Sequence, residues 1–165
     1  MTADQDEPAT DVGLQTLVTA WPRDATFLEA LHVSWIEQYA DYIGEAAAHA
    51  LVNRLLVTDE LYPGEGQQVQ LALIGTRPVG VAACRSMQGL SLITMLEVLS
   101  EHRQQGVGSR LLTDLQARTT ERLFAHVSIH RPQVRRFYER QGFRCLSRTC
   151  VDHYGHALEF DVMVK

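Results

Sequence analysis

The sequence predicts an α+β (mixed α/β) fold, in which one mixed sheet carries helices on both faces. Three observations support this prediction. Two strand-like runs joined by a tight turn come early, strands and helices alternate afterwards, and the helical segments have apolar faces. The chain has 165 residues, 45% of them hydrophobic, which is enough for the core of one domain. We therefore expect a single domain over residues 13–165, preceded by a flexible acidic N-terminus over residues 1–12.

The first three elements are predicted from caps and apolar spacing. Residues 14–20 alternate loosely between apolar and polar, which is typical of a short strand. Asp24 is a good N-cap for a helix that ends at Gly44. The apolar residues of that helix recur at helical spacing: Phe27, Leu28, Leu31, Trp35, Tyr39 and Tyr42. A second helix runs from Glu45 to about Asp59, with apolar residues four positions apart.

Three strands are predicted next. Residues 69–74 and 79–84 are rich in β-branched and small apolar residues, and the Gly75–Pro78 segment between them has the composition of a hairpin turn. Residues 90–99 form a third apolar run of strand length after a turn at Gln88 and Gly89. We interpret this run as the central strand.

The second half alternates helices and strands. A polar segment with two glycines, residues 100–108, separates the central strand from the next helix. The expected elements are a helix over 109–122, a strand over 123–130, a helix over 132–140, and closing strands over 143–151 and 157–164.

The charge is unevenly distributed along the chain. Residues 1–100 hold 4 arginines and 13 acidic residues, a net charge of −9, whereas residues 101–148 hold 10 arginines and 4 acidic residues, a net charge of +6. A cationic segment in an acidic protein indicates one specific polyanion rather than nucleic acid. The acidic first half either favours a cationic ligand or is a solvated face.

The cysteines and the hydropathy exclude other classes of protein. Cys84, Cys145 and Cys150 are odd in number and include no C-x-x-C pair, which argues against a disulfide framework and against a zinc site. We expect no metal. No apolar run reaches the roughly 18 to 20 residues of a membrane span. The acidic N-terminus is unlike a secretory signal, so we expect a cytoplasmic protein without membrane association.

The strongest local motif is a glycine-bearing loop between a strand and a helix. Its backbone N–H groups can converge on one anion, and the helix N-terminus adds roughly half a positive charge, which suits a pyrophosphate. The loop lacks the third glycine of a dinucleotide fingerprint and the lysine of a P-loop. It comprises Arg103, Gln104, Gln105, Gly106, Val107, Gly108 and Ser109.

At this point the sequence resembles the GNAT N-acetyltransferase superfamily. The family's first motif, a strand followed by Arg/Gln-x-x-Gly-x-Gly/Ala and a helix, corresponds to residues 96–108. Its second motif, Phe-Tyr-x-x-x-Gly-Phe, corresponds to residues 137–143. The resemblance implies a mostly antiparallel sheet of about six to seven strands, two of them splayed apart at the cofactor site.

The resemblance also implies acetyl-CoA as cosubstrate and a role for each matching residue. The backbone of Leu96 and Val98 should pair with the pantetheine arm, while Arg103 and the amides of residues 104–109 hold the pyrophosphate. Tyr138 matches the residue that often protonates the departing thiolate, although it could instead be a core tyrosine beside Phe137. Arg131 replaces the family's usual asparagine and could reach a phosphate or the pantetheine carbonyl.

The residue that deprotonates the amine is less evident. Family members that use a base on the central strand place it where this chain has Leu92 and Thr94, neither of which can act as one. His130 and Glu97 are the candidates, and His130 is favoured because strand alternation puts Glu97 on the face opposite Val98.

The expected activity is transfer of an acetyl group from acetyl-CoA to a primary amine by direct attack. A polyamine, an amino acid, an aminoglycoside-like drug and a protein amine all remain open as acceptor. The alternative is a catalytically inactive acetyl-CoA-binding sensor or partner-binding protein. A homodimer could form by edge pairing through the last strand, residues 157–164.

Overall fold

The protein is described from a computed structural model, which covers residues 14–18, 24–57, 66–153 and 155–165, with only the backbone for 14–18. The expectation for the N-terminus over residues 1–12 and the predicted end of the second helix at Asp59 lie outside these residues.

Seven strands and four α-helices, with one turn of 3-10 helix at Ser100–His102, make up the described fold. They are β1 (Leu14–Val18), α1 (Ala25–Ile43), α2 (Glu45–Val57), β2 (Gln68–Ile74), β3 (Arg77–Met87), β4 (Leu90–Val98), α3 (Val107–Ala117), β5 (Arg122–Ser128), α4 (Pro132–Arg140), β6 (Arg144–His153) and β7 (His156–Val164). The strands form one sheet in the order β1-β2-β3-β4-β5-β7-β6. Only the β4–β5 pair is parallel. The predicted α+β class and mostly antiparallel sheet are confirmed.

The helices cover both faces of the sheet, as predicted. Phe27, Leu31 and Trp35 of α1 pack with Val52 of α2 against Leu71 and Val81 of the sheet. On the opposite face, leucines of α3 and aromatic residues of α4 pack against β3, β4, β5 and β7. The caps of α1 are those expected, since Asp24 Oδ1 accepts the Phe27 N–H at 2.8 Å and the helix ends at Gly44.

Among the boundaries that differ from the prediction, two affect the position of the site. The third helix ends at Ala117 rather than residue 122, because Arg122 already pairs with Leu90 of β4 as the first residue of β5. The fifth strand ends at Ser128, whose hydroxyl accepts the His130 N–H at 3.2 Å and closes a turn. His130 therefore lies in that turn, two residues beyond the strand in which it was expected.

The suggested route to a homodimer is wrong. Edge pairing through residues 157–164 needs an open strand, but β7 is paired with β5 on one side and with β6 on the other. The edge strands of the sheet are β1 and β6. The connection through α4 leads to the edge strand β6, and the hairpin that follows places β7 between β6 and β5. Local sequence patterns do not report this topology.

Gln70 of β2 is a buried polar residue that destabilises the fold locally. The side chain is completely buried, and neither amide atom has a hydrogen-bond partner within the described residues. An unsatisfied buried polar group costs about 1–3 kcal/mol. Gln70→Met, which keeps the length but removes both polar atoms, should raise the free energy of unfolding by about 1 kcal/mol or more, measured by urea denaturation. Gln68→Met, at an exposed position on the same strand, is the control, and a loss of stability in Gln70→Met would contradict the prediction.

Candidate functional site

The central feature of the site is an opening between β4 and β5. The two strands pair only from Leu90 with Arg122 to Ile93 with Ala125, although β4 continues to Val98 and β5 to Ser128. Beyond those pairs the strands separate, so the predicted splay is confirmed.

The backbone of β4 faces this opening at the two expected residues. The Leu99 N–H donates to the Val79 carbonyl at 2.9 Å on the β3 side. Antiparallel pairing alternates, so the N–H and C=O groups of Leu96 and Val98 point away from β3 and toward the opening. The Val98 carbonyl accepts the Nε of Arg103 at 2.9 Å, so Arg103 ties the following loop to the strand.

The loop after β4 presents the N-terminus of α3. Gln104 and Gly106 both have a positive φ, of 60° and 82°, and Gly106 is the N-cap without any side-chain cap. The first intrahelical bond is donated by Arg110 to the Gly106 carbonyl. The N–H groups of Val107, Gly108 and Ser109 consequently have no acceptor within the helix, and they lie at its positive end.

The loop side chains hold this geometry. Gln105 Nε2 donates to the Glu101 carbonyl at 2.9 Å, and Ser109 Oγ accepts Gln141 Nε2 at 2.9 Å. A Cβ added at Gly106 would meet nothing within 4 Å. The loop therefore offers backbone donors facing open space, which suits an anion such as a diphosphate.

Tyr138 lies inside the α4 face of the core. It is 5% exposed, with its ring edge-to-face against Phe137 and Phe143 at centroid distances of 5.4 and 5.0 Å. Burial, assisted by the negative charge of Glu97, raises the pKa of the Tyr138 hydroxyl. The hydroxyl therefore stays protonated at neutral pH and can serve as a proton donor.

The position of α4 depends on a carboxylate in β7. Asp161 is 4% exposed and accepts hydrogen bonds from Arg135 of α4 at 2.8 Å and from Arg148 of β6 at 3.1 Å. Asp161→Asn should lower the free energy of unfolding by about 1.5–3 kcal/mol, because bonds to charged groups are lost. Urea denaturation measures this effect. Glu139→Gln, which removes only an exposed partner of Arg135, should cost no more than about 1 kcal/mol, and equal losses would contradict the assignment.

His130 and Arg131 lie at the rim of the opening, where they contact α1. The His130 ring meets Tyr42 edge-on at 4.6 Å. Arg131 Nε binds Asp41 at 3.0 Å, so this arginine joins the start of α4 to α1. A contact of Arg131 with the cofactor stays a prediction.

Glu97 has a more enclosed position than the sequence suggested. In the β3–β4 pair, Ala83 faces Met95 and Cys84 faces Ile93, so Thr94 is a one-residue bulge. Beyond it Glu97 faces α1, where Ser34 Oγ donates to its Oε2 at 3.1 Å. Burial raises the pKa of Glu97, and this effect is opposed by Ser34 and by the charges of Arg103 and Arg131. Alternation correctly placed Glu97 opposite Val98, but it gave no sign that α1 encloses this face.

Metal-binding clusters and membrane-spanning helices are both absent from the described residues. Across the part of the chain that the structure describes, no group of three or more His, Cys, Asp or Glu side chains could hold a metal ion. Among the described helices, none combines the length and hydropathy that crossing a bilayer would need.

Solved structures with the same fold are acetyltransferases. A GCN5-related N-acetyltransferase from Rhodopseudomonas palustris is 23% identical, with a TM-score of 0.66 over 90% of this chain and 94% of that chain. Arabidopsis thaliana NAA60 in complex with acetyl-CoA is 16% identical, with a TM-score of 0.60 over 92% and 98%. An aminoglycoside 6'-N-acetyltransferase complexed with coenzyme A is 15% identical, with a TM-score of 0.60 over 90% and 96%. These identities establish the shared fold alone.

Sequence comparison extends this result. A search of curated proteins gives no match. A family model described as an acetyltransferase (GNAT) domain matches residues 36–160, which include the β4–β5 opening, the glycine loop and α4. On the strength of that match, the chain belongs to the GNAT acetyltransferase family.

Proposed function

We propose that the protein transfers the acetyl group of acetyl-CoA to a primary amine, by direct attack in a ternary complex. The observation that carries this proposal is the continuity of two features, the open edge of β4 and the uncapped N-terminus of α3 at its end. An extended chain can pair with an open strand edge, and a diphosphate suits a helix N-terminus. Acetyl-CoA has these two parts in the same order.

The cofactor residues follow from the placement of these features. The pantetheine arm would pair with Leu96 and with the N–H of Val98, whose carbonyl Arg103 already binds. The pyrophosphate would accept N–H groups of the loop and of the first turn of α3, supplied by Gln104, Gln105, Gly106, Val107, Gly108 and Ser109. The Val98 amide would also polarise the thioester carbonyl as the tetrahedral intermediate forms.

The proton transfers need an acid and a base. Tyr138 would protonate the departing thiolate, since α4 packs against β5 at the side of the opening. An alkylamine has a pKa near 10.4, so only about one molecule in a few thousand is neutral at pH 7 and a base must take its proton. His130 is the base predicted from the sequence, and its place at the rim keeps it a candidate. The proposed unit is one N-acetyltransferase domain over residues 13–165.

The alternative function is an acetyl-CoA-binding sensor without catalysis. Leu92 and Thr94 support it, because they leave the central strand without a base at the positions where family members have one. The presence of Tyr138, the proposed proton donor, favours a catalytic transferase over a sensor.

Thiol release from acetyl-CoA tests the two functions against each other. We would follow it with a disulfide dye in the presence of spermidine, kanamycin, lysine or a lysine-containing peptide, with acetyl-CoA alone as the baseline. Release stimulated by one amine supports the transferase and identifies its acceptor class. Acetyl-CoA binding without stimulation by any amine favours the sensor.

A further inference from the structure

Glu97 is a charged side chain that the proposed cofactor site does not use. It is the only acidic residue of β4, and it lies beyond the bulge on the stretch of the strand that borders the opening. The cofactor would use the strand's backbone, whereas the Glu97 side chain leaves the sheet on the α1 face. A role for this side chain in catalysis rests on the proposed function.

The Glu97 carboxyl group is hydrogen-bonded but has no ion pair within the described residues. Ser34 of α1 donates one hydrogen bond to Oε2, and Arg103 and Arg131 contribute positive charge without forming an ion pair with it in the described structure. Glu37 of α1 adds a negative charge nearby. Arg131 is instead held by Asp41 and Arg103 by the Val98 carbonyl. A carboxylate that is held in place but not ion-paired can still accept a proton.

Glu97 and the expected proton donor lie on opposite faces of the sheet. The charge of Glu97 acts on the Tyr138 hydroxyl, although Glu97 projects toward α1 and Tyr138 belongs to the layer of α3 and α4. The separated stretch of β4 and β5 lies between these two layers. An amine arriving from the α1 side would meet the carboxylate, and a thioester in the opening would lie between the amine and Tyr138.

We propose that Glu97 is the base that deprotonates the acceptor amine and that Ser34 is the residue that positions it. The carboxylate takes one proton from the ammonium and passes it to solvent. The nitrogen lone pair then forms the C–N bond to the thioester carbon, and the C–S bond breaks with its electron pair on sulfur. Tyr138 protonates the sulfur, and the second proton lost from nitrogen restores its hydroxyl. Ammonium and thioester thus become amide, thiol and one free proton.

The central experiment is Glu97→Gln, assayed with the most active amine of the panel. The variant keeps the size and the hydrogen bond to Ser34 but cannot accept the proton, so kcat should fall about 10²–10⁴-fold. Acetyl-CoA affinity by calorimetry and the thermal midpoint should stay at the wild-type values. The loss of kcat relative to the wild type should be smaller with methoxyamine, because this weakly basic amine needs no deprotonation at pH 7. Glu29→Gln, an exposed change of the same type on α1, is the matched control.

The pH profile separates a base from a merely structural residue. Glu97 acts when ionised, so kcat/KM should fall as the pH drops through its raised pKa. Ser34→Ala removes a bond to the ionised form and should move this acid limb to higher pH. Glu37→Gln removes a neighbouring negative charge and should move it to lower pH. The other charged or titratable groups around Glu97 are Arg103, Arg131 and Tyr138.

The outcomes distinguish the inference from the proposed function. If the wild type is active but Glu97→Gln retains its kcat and its acid limb, Glu97 is not the base. The inference is equally wrong if His130→Gln, rather than Glu97→Gln, abolishes the fall of kcat/KM at low pH. If no amine stimulates thiol release by the wild type, the transferase proposal fails, and the role of Glu97 fails with it.

Discussion

Replacing Gly106 by glutamate is expected to weaken acetyl-CoA binding more than about a hundredfold. The φ of 82° tolerates a side chain only with strain, and the new side chain would start from a Cβ that faces open space at the N-terminus of α3. A carboxylate there would take up the amides that hold the diphosphate and would repel it. Opposed like charges cost several kcal/mol, and each 1.4 kcal/mol is a factor of ten in affinity.

The control for this prediction must show the same strain elsewhere. Gly89 in the β3–β4 turn also has a φ of 82°, and a Cβ added there would likewise face open space, so Gly89→Glu imposes the same backbone cost of about 1–2 kcal/mol. We expect this variant to bind acetyl-CoA like the wild type in calorimetry. Wild-type affinity in Gly106→Glu would refute the assignment of the loop.

Tyr138→Phe should lower kcat by about 10²–10⁴-fold while leaving acetyl-CoA affinity nearly unchanged. The ring stays against Phe137 and Phe143, and only the hydroxyl is lost. Because burial raises the pKa of this hydroxyl, it stays protonated through neutral pH and should produce no loss of rate on the alkaline side near pH 8.

Steady-state kinetics and thermal unfolding of the same sample separate the two roles of Tyr138. If Tyr138 is the general acid, the Tyr138→Phe variant loses turnover while its thermal midpoint stays unchanged, because the phenylalanine preserves the packing. If Tyr138 is only a core residue, the Tyr138→Phe variant keeps its turnover, and that result would remove Tyr138 from the mechanism. Phe143→Leu, which alters the packing against the Tyr138 ring but keeps the Tyr138 hydroxyl, shows how far packing alone changes kcat and the thermal midpoint.

Local signals in the sequence predicted most of the fold. The N-cap Asp24, the stop at Gly44 and the turn at Gly75 act within a few residues, so their elements appear where expected. The position of β7 between β5 and β6 depends on pairing between distant segments, which no window of the sequence contains. His130 was misplaced for a different reason, because a local bond from the His130 N–H to the Ser128 hydroxyl closes a turn that strand periodicity does not report.

In the candidate site, too, features set by short motifs were predicted and features set by distant segments were not. The loop and Tyr138 were found because their chemistry lies in short motifs, and their roles remain predictions. Glu97 was given less weight than His130 because alternation describes one strand and says nothing about what covers it. Ser34, 63 positions away in the sequence, supplies the bond that makes this glutamate notable. No motif links the two residues.

The part of β4 beyond the bulge at Thr94 has a consequence for how the acceptor preference of such a protein could evolve. If the cofactor pairs with main-chain groups of Leu96 and Val98, most substitutions along this stretch leave those contacts intact. Side chains on the α1 face other than Glu97, such as Met95, can then vary independently of cofactor binding. Point mutations could thus give new acceptor preferences while inheriting a working acetyl donor site, so that diversification of substrate need not pass through inactive intermediates.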